Sequence, residues 1–401
     1  MKLHKPLVEA VIDCLKQIMV DHKYSDRVLE KTFKSHPQWG SRDRKFIAET
    51  VYDITRSYRY LSFIAETEKN FRMILAAYFF EKGIAFPDWP DFQTISTKPF
   101  EIKKKSIISP AILHSYPDEL WEICENELGK EKWLKEAVAL NTQAGVVLRV
   151  NTLKIKKPEL IKKFAESEIE VDSLNTFDQA LQLRKRQNIF TTSLFKDGLF
   201  EIQDAGSQLI APFLNVEAGQ KVIDACAGAG GKALHLAALM QNKGKIIAMD
   251  VEEWKLDNLR KRAKRAGVSN IEARLIEGDK TISQLKNSAD RLLLDVPCTG
   301  TGVIKRNPDT KWKLTKEVIE KTRQLQYTLL KNYSTMLKPG GLMFYSTCSI
   351  LHSENELQVT KFITERNGEF ELINDKTIYP SEGFDGFYMA LIKRNINLTK
   401  I

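Results

Sequence analysis

Two of the five cysteines, Cys298 and Cys348, stand directly after short apolar runs. Arg291 to Asp295 leads into Val296-Pro297-Cys298, and Leu342 to Tyr345 leads into Ser346-Thr347-Cys348. In an open α/β sheet ligands bind outside the carboxyl ends of the strands, and neighbouring strands lie about 4.8 Å apart, so two thiols distant in sequence can share one crevice. A thiolate there can add to an electron-poor ring carbon such as C6 of a pyrimidine and push electron density onto C5, splitting one hard substitution into easier steps. The charge developing at N3 or O2 needs an acid, and Asp295 is the nearest candidate if its surroundings let it hold a proton. The second thiol is suited to assist release of the first. Spacing alone leaves open which thiol attacks. Cys14 and Cys124 lie on helical segments and read as small buried hydrophobes, and Cys226 belongs to a turn.

That turn is Asp224-Ala225-Cys226-Ala227-Gly228-Ala229-Gly230-Gly231-Lys232, set between a strand, Val222-Ile223-Asp224, and a helix expected to start near Ala233. Its glycines let backbone approach a ligand, and the helix start offers free N–H groups. It is not a P-loop, because Cys226 stands at the first glycine position and Ala233 replaces the magnesium-binding Ser or Thr. Nor is it the dinucleotide fingerprint, since Ala233 takes the third glycine position. Asp250 closes the second strand about 20 residues beyond the glycines, where a carboxylate can accept both ribose hydroxyls. Asp279, in Glu277-Gly278-Asp279, is expected to end the third strand. Few phosphate ligands, a ribose carboxylate and a further acid fit an adenosine carrying an amino acid, which is S-adenosylmethionine.

The elements that must position these groups follow from periodicity. Val222–Asp224, Ile246–Asp250, Ile271–Ile276, Arg291–Asp295 and Leu342–Tyr345 are short apolar runs separated by helical segments, the pattern of a doubly wound α/β domain with a parallel sheet covered on both faces, over 211–401. Before it, residues 141–210 read as a small α+β module: strands at Val146–Val150, Ala180–Leu183 and Leu199–Ile202, and a helix at Pro158–Glu168. Residues 1–140 read as helical. Leu7, Val11, Leu15 and Ile18 recur at helical spacing, as do Phe46, Thr50, Ile54, Tyr58 and Leu61 behind a Ser41 cap. Ser115 precedes a helix that Gly129 stops, and 83–110, with Pro87, Pro90, Pro99 and Pro110, reads as a linker or long loop.

Composition narrows the class. With 43% hydrophobic and 28% charged residues over 401 positions, a disordered, collagen-like or disulfide-scaffold chain is excluded and two or three domains are expected. The net charge of +9 favours a polyanionic partner. An odd number of cysteines without a C-x-x-C pair indicates neither a disulfide frame nor a zinc site, and no metal is expected. No apolar stretch follows Met1 to Pro6, and the densest run, Ile74 to Phe80, is far short of the roughly 20 residues a bilayer needs. A cytoplasmic monomer without membrane contact is expected.

At these residues the chain resembles the RsmB/Nop/Sun family of RNA cytosine-5 methyltransferases, from about Arg149 to the C-terminus. Arg149-Val150-Asn151-Thr152 is similar to the family's opening motif and Gln203-Asp204-Ala205-Gly206-Ser207 to the motif before the sheet. Asp295-Val296-Pro297-Cys298 and Ser346-Thr347-Cys348 are similar to its two cysteine motifs. The resemblance implies a Rossmann-like class I methyltransferase sheet preceded by an RRM-like module, Cys348 as nucleophile, Cys298 in product release, and cofactor contacts from Cys226, Ala227, Gly228, Ala229, Gly230, Gly231, Lys232, Asp250, Asp279 and Asp295. One departure stands out: the family's usual Cys-Ala-Ala-Pro-Gly-Gly-Lys-Thr lacks its proline here, leaving the loop less preorganised. The N-terminal helices, with Ser41-Arg42-Asp43-Arg44-Lys45-Phe46, are similar to the NusB-like RNA-binding domain of the bacterial ribosomal-RNA members.

The expected substrate is 16S ribosomal RNA. The other readings are another RNA such as tRNA, and a non-catalytic RNA-binding assembly factor, against which the thiol pair argues. Lys305 and Arg306 follow the Pro-Cys loop and are expected to hold phosphates beside the target base, with Lys311 and Lys313 continuing the charge. The target cytosine must be unstacked to react. Phe384 and Phe387 suit either stacking on RNA or core packing.

Overall fold

A computed structural model describes residues 3–174 and 177–396, which divide into two compact units. The first joins residues up to Gln143 with Ile304–Val318; the second joins Ala144–Val303 with Ile319–Ile401. The expected 211–401 domain is thus interrupted, because 304–318 packs with the helical unit.

In the helical unit, Lys5–Met19, Ser41–Arg56 and Phe71–Glu81 turn Val8, Val11, Leu15, Ile47, Val51, Ile54, Leu75 and Phe79 into one core. Ser41 is the first helical residue rather than the cap: Gly40 precedes the helix, and its N–H donates to Asp43 Oδ2 at 3.1 Å. The helix breaks at Ser57, and Tyr58–Ile64 continues separately. Ser115 does not cap Asp118–Leu128 either; its hydroxyl accepts the N–H groups of Arg59 and Tyr60, while Gly129 ends the helix as expected. The expected linker at 83–110 is instead helical in three places: Pro90–Gln93, Lys98–Lys105 and Pro110–Leu113. Three of its prolines, Pro90, Pro99 and Pro110, fall in first helical turns, where the missing N–H costs nothing, and Phe92 and Phe100 bury their rings in the core.

The second unit holds two sheets. Strands β1 (Val147–Val150), β2 (Val171–Ser173), β3 (Ala180–Leu183) and β4 (Phe200–Ile202) form an antiparallel sheet of order β2-β3-β1-β4. Leu160 and Phe164 of helix Lys157–Glu166 join its core. Strand β2 carries no clear sequence signal, being a three-residue, half-exposed edge.

The larger sheet contains β5 (Lys221–Asp224), β6 (Lys245–Asp250), β7 (Ile271–Leu275), β8 (Ala289–Asp295), β9 (Leu337–Thr347), β10 (Phe370–Ile378) and β11 (Phe387–Arg394), in the order β10-β11-β9-β8-β5-β6-β7. It is mixed rather than wholly parallel, since β11 runs antiparallel to both β9 and β10. β10 escapes a periodicity reading because it is an edge strand with polar residues and an irregularity between Leu372 and Asn374. The chain builds β5, β6 and β7 outward, then returns to place β8 on the other side of β5. That reversal between β5 and β8 is the switch point at which α/β sheets open a crevice. Among the described residues no helix is long and apolar enough to cross a membrane, and no cluster of metal-ligating side chains occurs.

Candidate active site

Both thiol loops and the glycine turn leave the sheet at this switch point. Parallel pairing sets Asp224 opposite Leu293 and Asp295 opposite Ser346, so the carboxyl ends of β5, β8 and β9 are level. The loops after β8 and β9 then bring Cys298 Sγ within 3.1 Å of Cys348 Sγ. The Cys348 N–H also points at Cys298 Sγ, at 3.2 Å. Both cysteines are only partly buried. The hydrogen bond to Cys348, reinforced by burial, pushes the Cys298 thiol well above its ordinary pKa, so Cys298 holds its proton.

Close backbone packing supports the pair. Gly302 N–H donates to the Cys348 carbonyl at 2.9 Å, and the Gly386 N–H donates to the Gly302 carbonyl at 2.8 Å. A Cβ on Gly302 would meet Gly386 O at 2.4 Å, so no larger residue fits between these strands of chain.

Asp295 lies between the thiol loops and the glycine turn. Its Oδ1 accepts the Ser346 hydroxyl at 2.8 Å, and its Oδ2 pairs with the Lys232 ammonium. Burial opposes the Lys232 charge, yet the Asp295 carboxylate and its hydrogen bond outweigh it and raise the lysine pKa. Lys232 thus keeps its proton beside the Asp295 carboxylate oxygen.

The glycine turn is held from several sides. Asp250 Oδ2 accepts Gly228 N–H and its Oδ1 accepts Glu252 N–H, each at 3.0 Å, so this carboxylate shapes the loop as well as facing it. Helix Gly231–Leu239 begins two residues before Ala233, with Gly230 in the left-handed region at φ 83°; a Cβ there would meet Leu259 Cγ at 2.6 Å. Arg149, from the opening motif, donates to Gly231 O at 2.7 Å, and Arg262 donates to Ala229 O at 2.9 Å. Asn151 ties Gly198 O to Ala266 O, at 2.8 Å each. The lost proline is thus offset by side chains from β1 and from helix Glu253–Ala266. Burial raises the Cys226 thiol well above its usual pKa and keeps it uncharged in the turn.

Asp279 does not end a strand: β7 stops at Leu275, and Asp279 is an exposed residue opening the short helix Asp279–Ser283. Lys305 is buried at 6% exposure, with its carbonyl accepting from Arg56 at 3.2 Å, so its charge is not presented to solvent as a phosphate contact requires. Arg306 is partly buried in the same segment. Lys311 is wholly buried and donates to Arg56 O, Ser115 O and Asn141 Oδ1, while Lys313 pairs with Asp309 at 2.5 Å. This basic segment anchors helices. Phe387 belongs to the sheet core and Phe384 packs edge-on against Phe177, 4.8 Å between centroids.

The group that motif reading missed is Asp224. It is 1% exposed, and neither carboxylate oxygen has a side-chain hydrogen-bond partner among the described residues. Burial and then the charge of Asp295 push its pKa up to about 7. An acid closing the first strand directly before the glycines was the available signal.

The family model for the 16S rRNA methyltransferase RsmB/F matches residues 211–393, and that for the associated ferredoxin-like domain matches 116–190. A probable ribosomal RNA small subunit methyltransferase B from Synechocystis is 33% identical over 301 residues, covering 70% of this chain and 67% of that protein. A Bacillus subtilis protein of the same description is 35% identical over 219 residues, 54% and 49% of the two chains. The chain spans about half to two thirds of these curated relatives. The crystal structure of PH0851 superposes with a TM-score of 0.81 at 25% identity, covering 98% of this chain and all of that one. A methyltransferase homolog protein from Pyrococcus horikoshii gives 0.63 at 29% identity, over 71% and 97%.

S-adenosylmethionine fits the residues present. A buried carboxylate without a side-chain hydrogen-bond partner among the described residues, Asp224, suits the ligand's cationic amino-acid end, and Asp250, whose Oδ1 is also met by the Lys255 ammonium at 3.5 Å, keeps acceptor capacity on Oδ2 for a ribose hydroxyl. The sheet order, the glycine turn beside β5 and the relatives agree: the chain belongs to the RsmB/F family of S-adenosylmethionine-dependent methyltransferases.

Proposed function

We propose that this chain methylates C5 of a cytosine in small-subunit ribosomal RNA, with Cys348 as the nucleophile. The observation that carries the reading is the 3.1 Å approach of Cys298 and Cys348 beside the Lys232–Asp295 pair. A methyltransferase acting on oxygen or nitrogen has no use for two adjoining thiols, whereas C5 of cytosine must first be made nucleophilic.

When bound, S-adenosylmethionine supplies an electrophilic methyl group. The Cys348 thiolate forms a bond to C6 and the ring's electron pair moves toward C5 and N3. The Lys232–Asp295 pair lies on hand to support that charge, with the proton available from Lys232. After C5 has taken the methyl, solvent water takes the C5 proton as base, the C5–C6 double bond re-forms, Cys348 leaves with its bonding pair as the thiolate, and the proton lent to the ring returns to Lys232. Cys298, which retains its proton, assists that release. The raised pKa of Cys298 supports this division of roles.

The substrate class is taken from the relatives described as small subunit ribosomal RNA methyltransferases. The helical region 1–140 and the module 141–210 are proposed to bind that RNA in the cytoplasm. Exposed Lys156, Lys162 and Lys163, on and just before the module's helix, suit phosphates. Bisulfite sequencing of small-subunit RNA from cells with and without this chain tests the proposal. Loss of one 5-methylcytosine supports it; an unchanged pattern refutes it.

A further inference from the structure

The chemistry proposed above uses neither the buried carboxylate of Glu354 nor the helix His352–Glu354 that carries it. Glu354 is 0% exposed. Four donors converge on its carboxylate. Oε2 accepts the Thr299 N–H at 2.9 Å and the Gln326 amide at 2.7 Å; Oε1 accepts the Ser349 hydroxyl at 2.6 Å and the Thr299 hydroxyl. Thr299 follows Cys298 and Ser349 follows Cys348, so this one group grips the residue next to each thiol.

The surrounding bonds tighten the same grip. The Gln326 amide also donates to Pro297 O at 3.0 Å, on the other side of Cys298. Thr347, before Cys348, bonds Asn355 at 2.5 Å, and the Asn355 amide reaches Ser349 O at 3.0 Å. Each thiol loop is therefore fastened on both flanks to Glu354, Asn355 or Gln326.

We propose that Glu354 is the positioning residue that holds Cys298 and Cys348 at their working separation. It touches no reacting atom and acts through Thr299 and Ser349. The assignment rests on the thiol mechanism for its effect on methyl transfer, but not for its effect on thiol geometry. A carboxylate accepts from all four donors at once; an amide in its place could keep an oxygen toward the two N–H groups at Oε2 but would turn a donor toward the Thr299 and Ser349 hydroxyls, of which Ser349 already accepts the Leu351 N–H.

Two measurements on Glu354→Gln test this. The first is the rate at which diamide, a thiol oxidant, joins Cys298 and Cys348 in the full chain without substrate, followed by mass spectrometry. The second is steady-state methyl transfer. Displaced thiols should slow cross-linking at least about tenfold and lower kcat by about 100-fold, the scale for misplacing reacting groups by an ångström, with the KM for S-adenosylmethionine unchanged within about twofold. Wild-type cross-linking and kcat in Glu354→Gln overturn the assignment. If that variant does not fold, Thr299→Val, which removes one donor and keeps the N–H, decides: a loss of about tenfold in both readouts supports the assignment and wild-type values refute it. Should the wild type methylate no RNA, the functional reading fails, and the cross-linking rates alone still judge Glu354.

Discussion

Ser346 donates its hydroxyl to Asp295 across β9 and β8 at 2.8 Å, at the last paired position of the two strands. Three residues beyond Asp295 and two beyond Ser346 come the thiols, so this register decides that Cys298 and Cys348 emerge together. Lys232 reaches the same carboxylate from the glycine turn, which couples the cofactor loop to the thiol site through one acid.

Asp224 governs a pH dependence. Its folded pKa of about 7 lies above the ordinary 3.8, so the folded chain holds a proton that the unfolded chain has released. Its favourable contribution is full below pH 3.8 and is lost as pH rises toward about 7. Asp224→Asn removes that penalty, and the ligand-free protein should melt higher at about pH 8, by roughly 2–4 °C per kcal/mol recovered. Adenosylhomocysteine should bind the variant about tenfold more weakly, the loss of one charge-assisted contact, and should bind the wild type more tightly as pH rises through about 7. Calorimetry showing equal affinity at all pH values would contradict the role.

Gly302 tests the packing behind the thiols. Gly302→Ala places a methyl 2.4 Å from Gly386 O and 2.9 Å from Cys348 O. Backbone must shift at the Thr-Cys loop, and methyl transfer should fall about 100-fold while the variant stays folded. Circular dichroism with a single-turnover assay checks both halves. Activity within about twofold of wild type would show that the close approach is dispensable.

Lys311 concerns stability. Its ammonium has three acceptors and lies 3.8 Å from the centre of the Tyr116 ring, wholly inside the helical unit. Lys311→Ala strands those acceptors and leaves a cavity, and should cost about 2–4 kcal/mol. Hydrogen exchange in Ser41–Arg56 reports it: protection should drop there, and unchanged protection would mean that the segment 304–318 does not anchor the helices.

What the sequence revealed and what it hid divide along physical lines. Strand ends, the thiols and the glycine turn were legible because apolar runs followed by Asp, Cys or Gly are local patterns. Asp279 was misplaced because β7 stops four residues short of it. Lys305, Lys311 and Lys313 read as a basic surface because charge is visible in sequence and burial is not; their partners come from positions 23, 56, 115 and 141 as well as from Asp309 nearby. The 83–110 region was misread because proline looks alike in a loop and in the first turn of a helix. Glu354 and Asp224 needed three dimensions, since their meaning lies in four converging donors and in the lack of a side-chain hydrogen-bond partner among the described residues.

The roles of the two sulfurs are tested most directly by incubating Cys298→Ala and Cys348→Ala with small-subunit RNA and S-adenosylmethionine and resolving the products on a denaturing gel. Cys298→Ala should accumulate a covalent protein–RNA adduct, and Cys348→Ala should form none and transfer no methyl. An adduct with Cys348→Ala alone, or undiminished turnover by both variants, would contradict the account.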